Sequence, residues 1–219
     1  MHSFLSTFGK DHGIVIGVVH FPPLPGHEGA PSLDVARENA FADLRAFEEG
    51  GVSGIIIENN YDLPHTITAG PGTIAAMTTL GREIRAATKL PMGVCVLWND
   101  IEGSFTVARD IGAQFVRIPV FVDEVETDFG HVKGDPKEIL AIRARLGAER
   151  VRIVVDIHVK HSRVLSRTSI GEAATLAIAG GADGVIVTGD WTGHPPSAAD
   201  LRSVRRSIPQ GAIFAGSGA

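Results

Sequence analysis

Gly50-Gly51-Val52-Ser53-Gly54-Ile55-Ile56 returns later in the chain as Gly180-Gly181-Ala182-Asp183-Gly184-Val185-Ile186. A looser copy, Ile111-Gly112-Ala113-Gln114-Phe115-Val116, lies between them. In each copy glycine closes a helix, and a short apolar run then opens a strand. Gly51, Gly112 and Gly181 recur about every two β/α repeats of roughly 30 residues each, so strands two, four and six begin alike. The echo favours a closed parallel barrel over an open sheet.

Outward from this echo, short β-branched runs alternate with longer helical patterns along the whole chain, as parallel strands with crossover helices require. Strands are expected near 14–20, 53–58, 92–98, 114–119, 151–158, 183–188 and 212–216. Ser32 is placed to cap a helix striped by Leu33, Ala36, Ala40, Leu44 and Phe47, with Gly50-Gly51 as its stop. Asp135-Pro136 opens another that ends at Gly147. Ser169 and Glu172 form a capping box, and Ser197 with Asp200 a weaker one. Eight repeats at this pitch need about 250 residues. The expectation is therefore a single α/β domain over residues 1–219, a (β/α)8 TIM-type barrel of the ribulose-phosphate-binding kind, truncated after strand seven.

The totals fit one domain with a substantial core: 219 residues, 44% hydrophobic, formal net charge −5. The arginines are scattered, and no basic stripe could neutralise a nucleic-acid backbone. The N-terminus lacks the apolar stretch of a secretory signal, and no apolar run could span a bilayer. A cytoplasmic protein without membrane insertion is expected, with peripheral association and self-association left open. The lone Cys95 lies in an apolar run and reads as a buried structural thiol.

In parallel barrels the loops after the strands build the site. Strand five is expected to place Ile153, Val155, Ile157 and Val159 on one face and Val154, Asp156, His158 and Lys160 on the other. An acid, an imidazole and an amine on one inward face could hold one another's charge and move protons. Further polar groups end the other strands: His20, then Glu58-Asn59-Asn60, Asn99-Asp100, Arg117 and Thr188-Gly189. Asp100 reads as a helix cap. Gly216-Ser217-Gly218 follows strand seven, where glycine amides could hold a phosphate. Metal ligation would run through His20, Glu58, Asp156 and His158. No paired histidine spacing supports it, and no metal is expected; no cofactor is legible. Asp123–Asp135 reads as an acidic loop, a solvated flap over the mouth.

Several of these segments together resemble the BtpA/SgcQ family. They are Ile16-Gly17-Val18-Val19-His20 with Pro22 to Gly26, Glu58-Asn59, Asn99-Asp100, Arg117, and Asp128 with Gly130 and Gly134. Asp156 with His158-Val159-Lys160-His161, and Thr188-Gly189 with Thr192-Gly193, complete the match. The sequence departs at Pro119, where relatives tend to carry asparagine, and at its early end. The resemblance implies a TIM-type barrel. Cyanobacterial members are associated with photosystem I biogenesis, and others occur with carbohydrate-uptake genes.

Two functional readings follow. In the first, the protein binds or transforms a small phosphorylated sugar or nucleoside-like compound. Asp156, His158, Lys160 and Glu58 are then the catalytic candidates. His20, Asn59, Asn99, Arg117, Thr188, Gly189, Gly216, Ser217 and Gly218 are the ligand-binding ones. In the second, the barrel is a non-catalytic assembly factor for a photosynthetic membrane complex. An enzyme should gather unusual residues at the strand ends, and a docking body should show an apolar outer patch.

Overall fold

A computed structural model describes residues 4–218. After a short 3-10 turn at Phe4–Phe8, the elements are β1 (Ile16–His20), α1 (Leu33–Glu49), β2 (Gly54–Glu58), α2 (Pro71–Ala87), β3 (Met92–Cys95), α3 (Ile101–Ile111) and β4 (Phe115–Ile118). Next come β5 (Glu124–Thr127), β6 (Gly130–Lys133), α4 (Pro136–Arg145), β7 (Arg152–Ile157), β8 (Arg163–Val164), α5 (Ile170–Ala179), β9 (Gly184–Thr188), α6 (Ala198–Ser207) and β10 (Ala212–Gly216). Seven strands form one sheet in chain order, β1-β2-β3-β4-β7-β9-β10. This is the α/β fold of a TIM-type barrel with seven of its parallel strands among the described residues. All seven lie within the expected segments, and none of those described helices is long and apolar enough to cross a membrane.

The chain divides into two compact units. The first comprises Met1–Val116 and Arg145–Val151, the second Arg117–Ala144 and Arg152–Ala219.

In the first unit, β1 and β2 pair in register from Ile16 opposite Gly54 to His20 opposite Glu58. Both strands therefore end on an ionisable side chain. Ser32 caps α1 by accepting the Val35 N–H, and Ala36, Ala40 and Leu44 form its buried stripe. Asp100 caps α3 through the Gly103 N–H, as its position after a strand suggested. Gly93 leaves room for Phe115, whose ring would stand 2.3 Å from an added Cβ. Gly112 takes the left-handed conformation (φ 69°), as do Gly51 (72°) and Gly181 (100°), so each copy of the sequence echo turns on a positive-φ glycine.

In the second unit, β7, β9 and β10 pair in parallel, with Ile157 opposite Val187 and Thr188 opposite Gly216. Ser169 and Glu172 form the expected capping box. The Glu172 carboxyl is held below its ordinary value by the Ser169 backbone N–H and then by the Ser169 hydroxyl. The acidic stretch after β4 is not the irregular flap expected. It forms the antiparallel hairpin β5–β6, with β8 on the outer side of β5. Val125 and Val132 face each other across the hairpin and are buried, which gives the segment an apolar side under its charged one.

Candidate functional site

The polar residues in question gather at the C-terminal ends of the strands of each unit. In the first, His20 Nε2 lies 3.4 Å from Glu58 Oε2. The Glu58 side chain is 3% exposed and that of His20 38%, so the carboxylate sits behind an accessible imidazole. Tyr61, exposed, meets the His20 ring edge-on at a centroid distance of 6.0 Å. Asn59 is turned to the backbone instead. Its Oδ1 accepts the Leu97 N–H at 2.7 Å, while Nδ2 donates to the Leu97 carbonyl at 3.3 Å and to Asp62 at 3.2 Å. Asn99 is buried, and its backbone N–H donates to the Ile67 carbonyl. Asp100 Oδ2 also accepts the Ala69 N–H, so this residue fastens the loop before α2 as well as capping α3.

Asp62 was not singled out from the sequence, yet it organises this region. The buried carboxylate accepts the Leu24 N–H at 2.7 Å and the Thr73 hydroxyl at 3.2 Å, and it faces His27 Nε2 at 3.4 Å. The available signal was its place shortly after a strand end, opposite the Pro-rich turn that carries Leu24. His65, nearby in the same loop, is held below the ordinary imidazole value of 6.5. Burial is the main cause, outweighing the attraction of Asp62 and Glu58.

In the second unit, the expected alternation along strand five stops at Ile157. His158 leaves the strand with φ 50°, a left-handed conformation uncommon for a side chain with a Cβ. Asp156, His158 and Lys160 consequently take different partners. Asp156 is fully buried and receives Arg117 Nε at 2.9 Å and one Nη at 2.8 Å. His158 donates its backbone N–H to Asp123 Oδ2 at 2.9 Å, and its Nε2 stands 3.8 Å from Asp123 Oδ1. Lys160 Nζ donates to Ser217 Oγ at 2.7 Å.

Buried Asp123 is the second residue that sequence reasoning missed. It also accepts the Ser166 hydroxyl at 3.2 Å. Two buried polar atoms in this region have no hydrogen-bond partner among the described residues: His158 Nε2 and Thr188 Oγ1. The strand register sets them on neighbouring strands, with Gly216 beside Thr188 and Ser217 next in the chain. Gly189 follows Thr188 and packs closely on the His194 carbonyl, which an added Cβ would approach to 2.5 Å. Among the described residues no group of three or more His, Cys, Asp or Glu side chains is placed to hold a metal ion.

The model of the BtpA family matches residues 11–219. The chain belongs to the BtpA family. An uncharacterised protein of Pyrococcus horikoshii is 37% identical over 205 residues, covering 93% of this chain and 78% of that one. The photosystem I biogenesis protein BtpA of Synechocystis is 36% identical over 213 residues (96% and 74%). The family also reaches the sgc region protein SgcQ of Escherichia coli, at 28% over 211 residues (93% and 77%). Among solved structures, a protein from Pseudomonas aeruginosa assigned as a dihydrodipicolinate synthetase superposes with a TM-score of 0.60 at 14% identity. That match covers 93% of this BtpA-family chain and 63% of the other, and it bears on the fold alone.

Proposed function

We propose that this protein binds, and transforms, a small phosphorylated sugar or nucleoside-like compound at the ends of its strands. The observation that carries the reading is the pair of buried atoms without a hydrogen-bond partner, His158 Nε2 and Thr188 Oγ1, beside the Lys160–Ser217 contact. Buried polar atoms are nearly always hydrogen-bonded, and those that are not call for a reason. An ammonium, a hydroxyl and an imidazole N–H are together the donor set that a phosphate's oxygens accept. Gly216, Ser217 and Gly218 supply the turn at which this anion would sit.

In the first unit, taken by itself, His20 is the group able to exchange a proton and Glu58 the carboxylate behind it. A general base needs access to substrate, which His20 has and buried Glu58 has not. Asp156, locked to Arg117, positions that guanidinium rather than carrying protons.

The test is thermal denaturation with ribose 5-phosphate and with inorganic phosphate. Ligand at about 100 times its Kd adds roughly 2.7 kcal/mol to stability. We expect a rise in Tm with both compounds, lost in Lys160→Ala and reduced in Thr188→Val, with little change in either unliganded variant. An unresponsive wild-type protein, or a Lys160→Ala variant that responds fully, would sink the reading.

A second reading rests on the 36% identity to the Synechocystis photosystem I biogenesis protein. On that reading the chain assists assembly of a membrane complex. It predicts that this chain restores photosystem I levels in a Synechocystis strain lacking its own BtpA, and that Lys160→Ala does so equally well.

A further inference from the structure

Residues 189–195 form a loop whose Trp191 is 57% exposed, unusual for the side chain with the largest apolar surface. His161 fastens one side of this loop. Its backbone N–H donates to the Asp190 carbonyl at 3.5 Å, and its Nε2 lies 2.9 Å from Thr192 Oγ1. The His161 ring meets the Trp191 indole at a centroid distance of 5.3 Å and an interplanar angle of 61°. Gly218 holds the other side, where an added Cβ would stand 2.4 Å from Pro195 N and 2.7 Å from the His194 carbonyl carbon. The loop that bears Trp191 thus touches both chain segments whose side chains meet at Lys160–Ser217.

We propose that Trp191 and His161 form a stacking subsite for a planar ring, so that the ligand is a phosphorylated compound bearing an aromatic base, of the nucleoside monophosphate class. This deepens the anion-site reading and rests on it. A sugar ring meets an indole only through its C–H groups, whereas an aromatic base brings a π-face of its own to the exposed indole beside the anion site. The state of His161 agrees. Its imidazole is held below the ordinary value of 6.5, first by burial and then by the Lys160 ammonium, against the opposing pull of Asp128. At neutral pH the ring is therefore uncharged, and a neutral ring stacks without repelling the adjacent ammonium.

The experiment is calorimetric and fluorimetric titration of the full chain with adenosine 5′-monophosphate, ribose 5-phosphate and inorganic phosphate. Stacking of a base on an aromatic side chain contributes enough for roughly tenfold tighter binding or more. We expect the nucleotide to bind at least tenfold more tightly than ribose 5-phosphate and to quench Trp191 emission, while phosphate binds without quenching. Trp191→Ala should bring the nucleotide down to the level of ribose 5-phosphate and leave the latter's affinity unchanged, which also shows that the variant is folded. Trp191→Phe should keep most of the preference. Equal binding of the two phosphate esters by the wild-type protein, or a Trp191→Ala variant that weakens both alike, would overturn the stacking subsite and spare the anion site. Failure of all three compounds to bind would overturn both.

Discussion

Arg117 presents Nε and one Nη to the two oxygens of the Asp156 carboxylate, at 2.9 and 2.8 Å, and Asp156 is wholly shielded from solvent. Such a two-pronged pair is strong and directional, and it removes both oxygens from other work. It answers the question that the strand-five sequence raised, because an acid so engaged is an anchor for its arginine.

Breaking that pair from one side should be costly. Arg117→Ala leaves a buried carboxylate without its cation, and we expect a loss of about 3 kcal/mol or more in urea unfolding. Replacing both partners, with Arg117→Met and Asp156→Leu together, should recover most of the loss, since a well-packed apolar pair avoids desolvating two charges. A single variant as stable as the wild-type protein would mean that the pair is dispensable to the fold.

His158 should behave in the opposite way. Its φ of 50° is a conformation that costs a residue with a Cβ roughly 1–2 kcal/mol relative to the right-handed region, and glycine adopts it freely. The hydrogen bond to Asp123 runs through the backbone N–H, so glycine keeps it. We expect His158→Gly to be as stable as the wild-type protein, or more stable by up to about 1 kcal/mol, while its response to phosphate falls. A clear loss of stability would show that the imidazole is structural packing.

The contrast between these two residues also marks how far the sequence could be read. Strand positions were legible because apolar β-branched runs between glycines have few alternatives, and Ser32, Asp100 and Ser169 cap their helices as their spacing implied. Less legible was α2, which starts behind Gly70 with no side-chain cap and carries Gly81 inside it. An added Cβ at Gly81 would stand 3.0 Å from Ile111 and 3.1 Å from Ile57, so close packing there outweighs helix propensity. The β5–β6 hairpin escaped because Val125 and Val132 are its only buried side chains amid charged neighbours. The strand-end rule placed the candidate residues at the ends of the strands but did not give their partners. Where Ile157 gives way to His158 the chain turns left-handed, and no glycine announces it. Asp62 and Asp123 sit beyond strand ends, and their burial comes from tertiary hydrogen bonds that no local pattern records.

His65 is held below 6.5 in the folded protein, mainly by burial. Unfolded, it titrates near 6.5, so between the two values the unfolded chain binds a proton that the folded one refuses. Stability therefore rises with pH through this window and is lost as pH falls below about 6.5. Once the pH drops under the folded value, both states carry the proton and this contribution levels off. His161 is lowered in the same direction and adds to the slope. Urea unfolding between pH 5 and 8 (a range set about the ordinary histidine value) should show stability falling toward the acid side. His65→Gln should be flatter over that range, with the two curves running parallel above neutrality, where His65 is uncharged in both states. Should the variant keep the full wild-type slope, His65 would not be the group that refuses the proton, and His161→Gln would be expected to flatten the curve in its place.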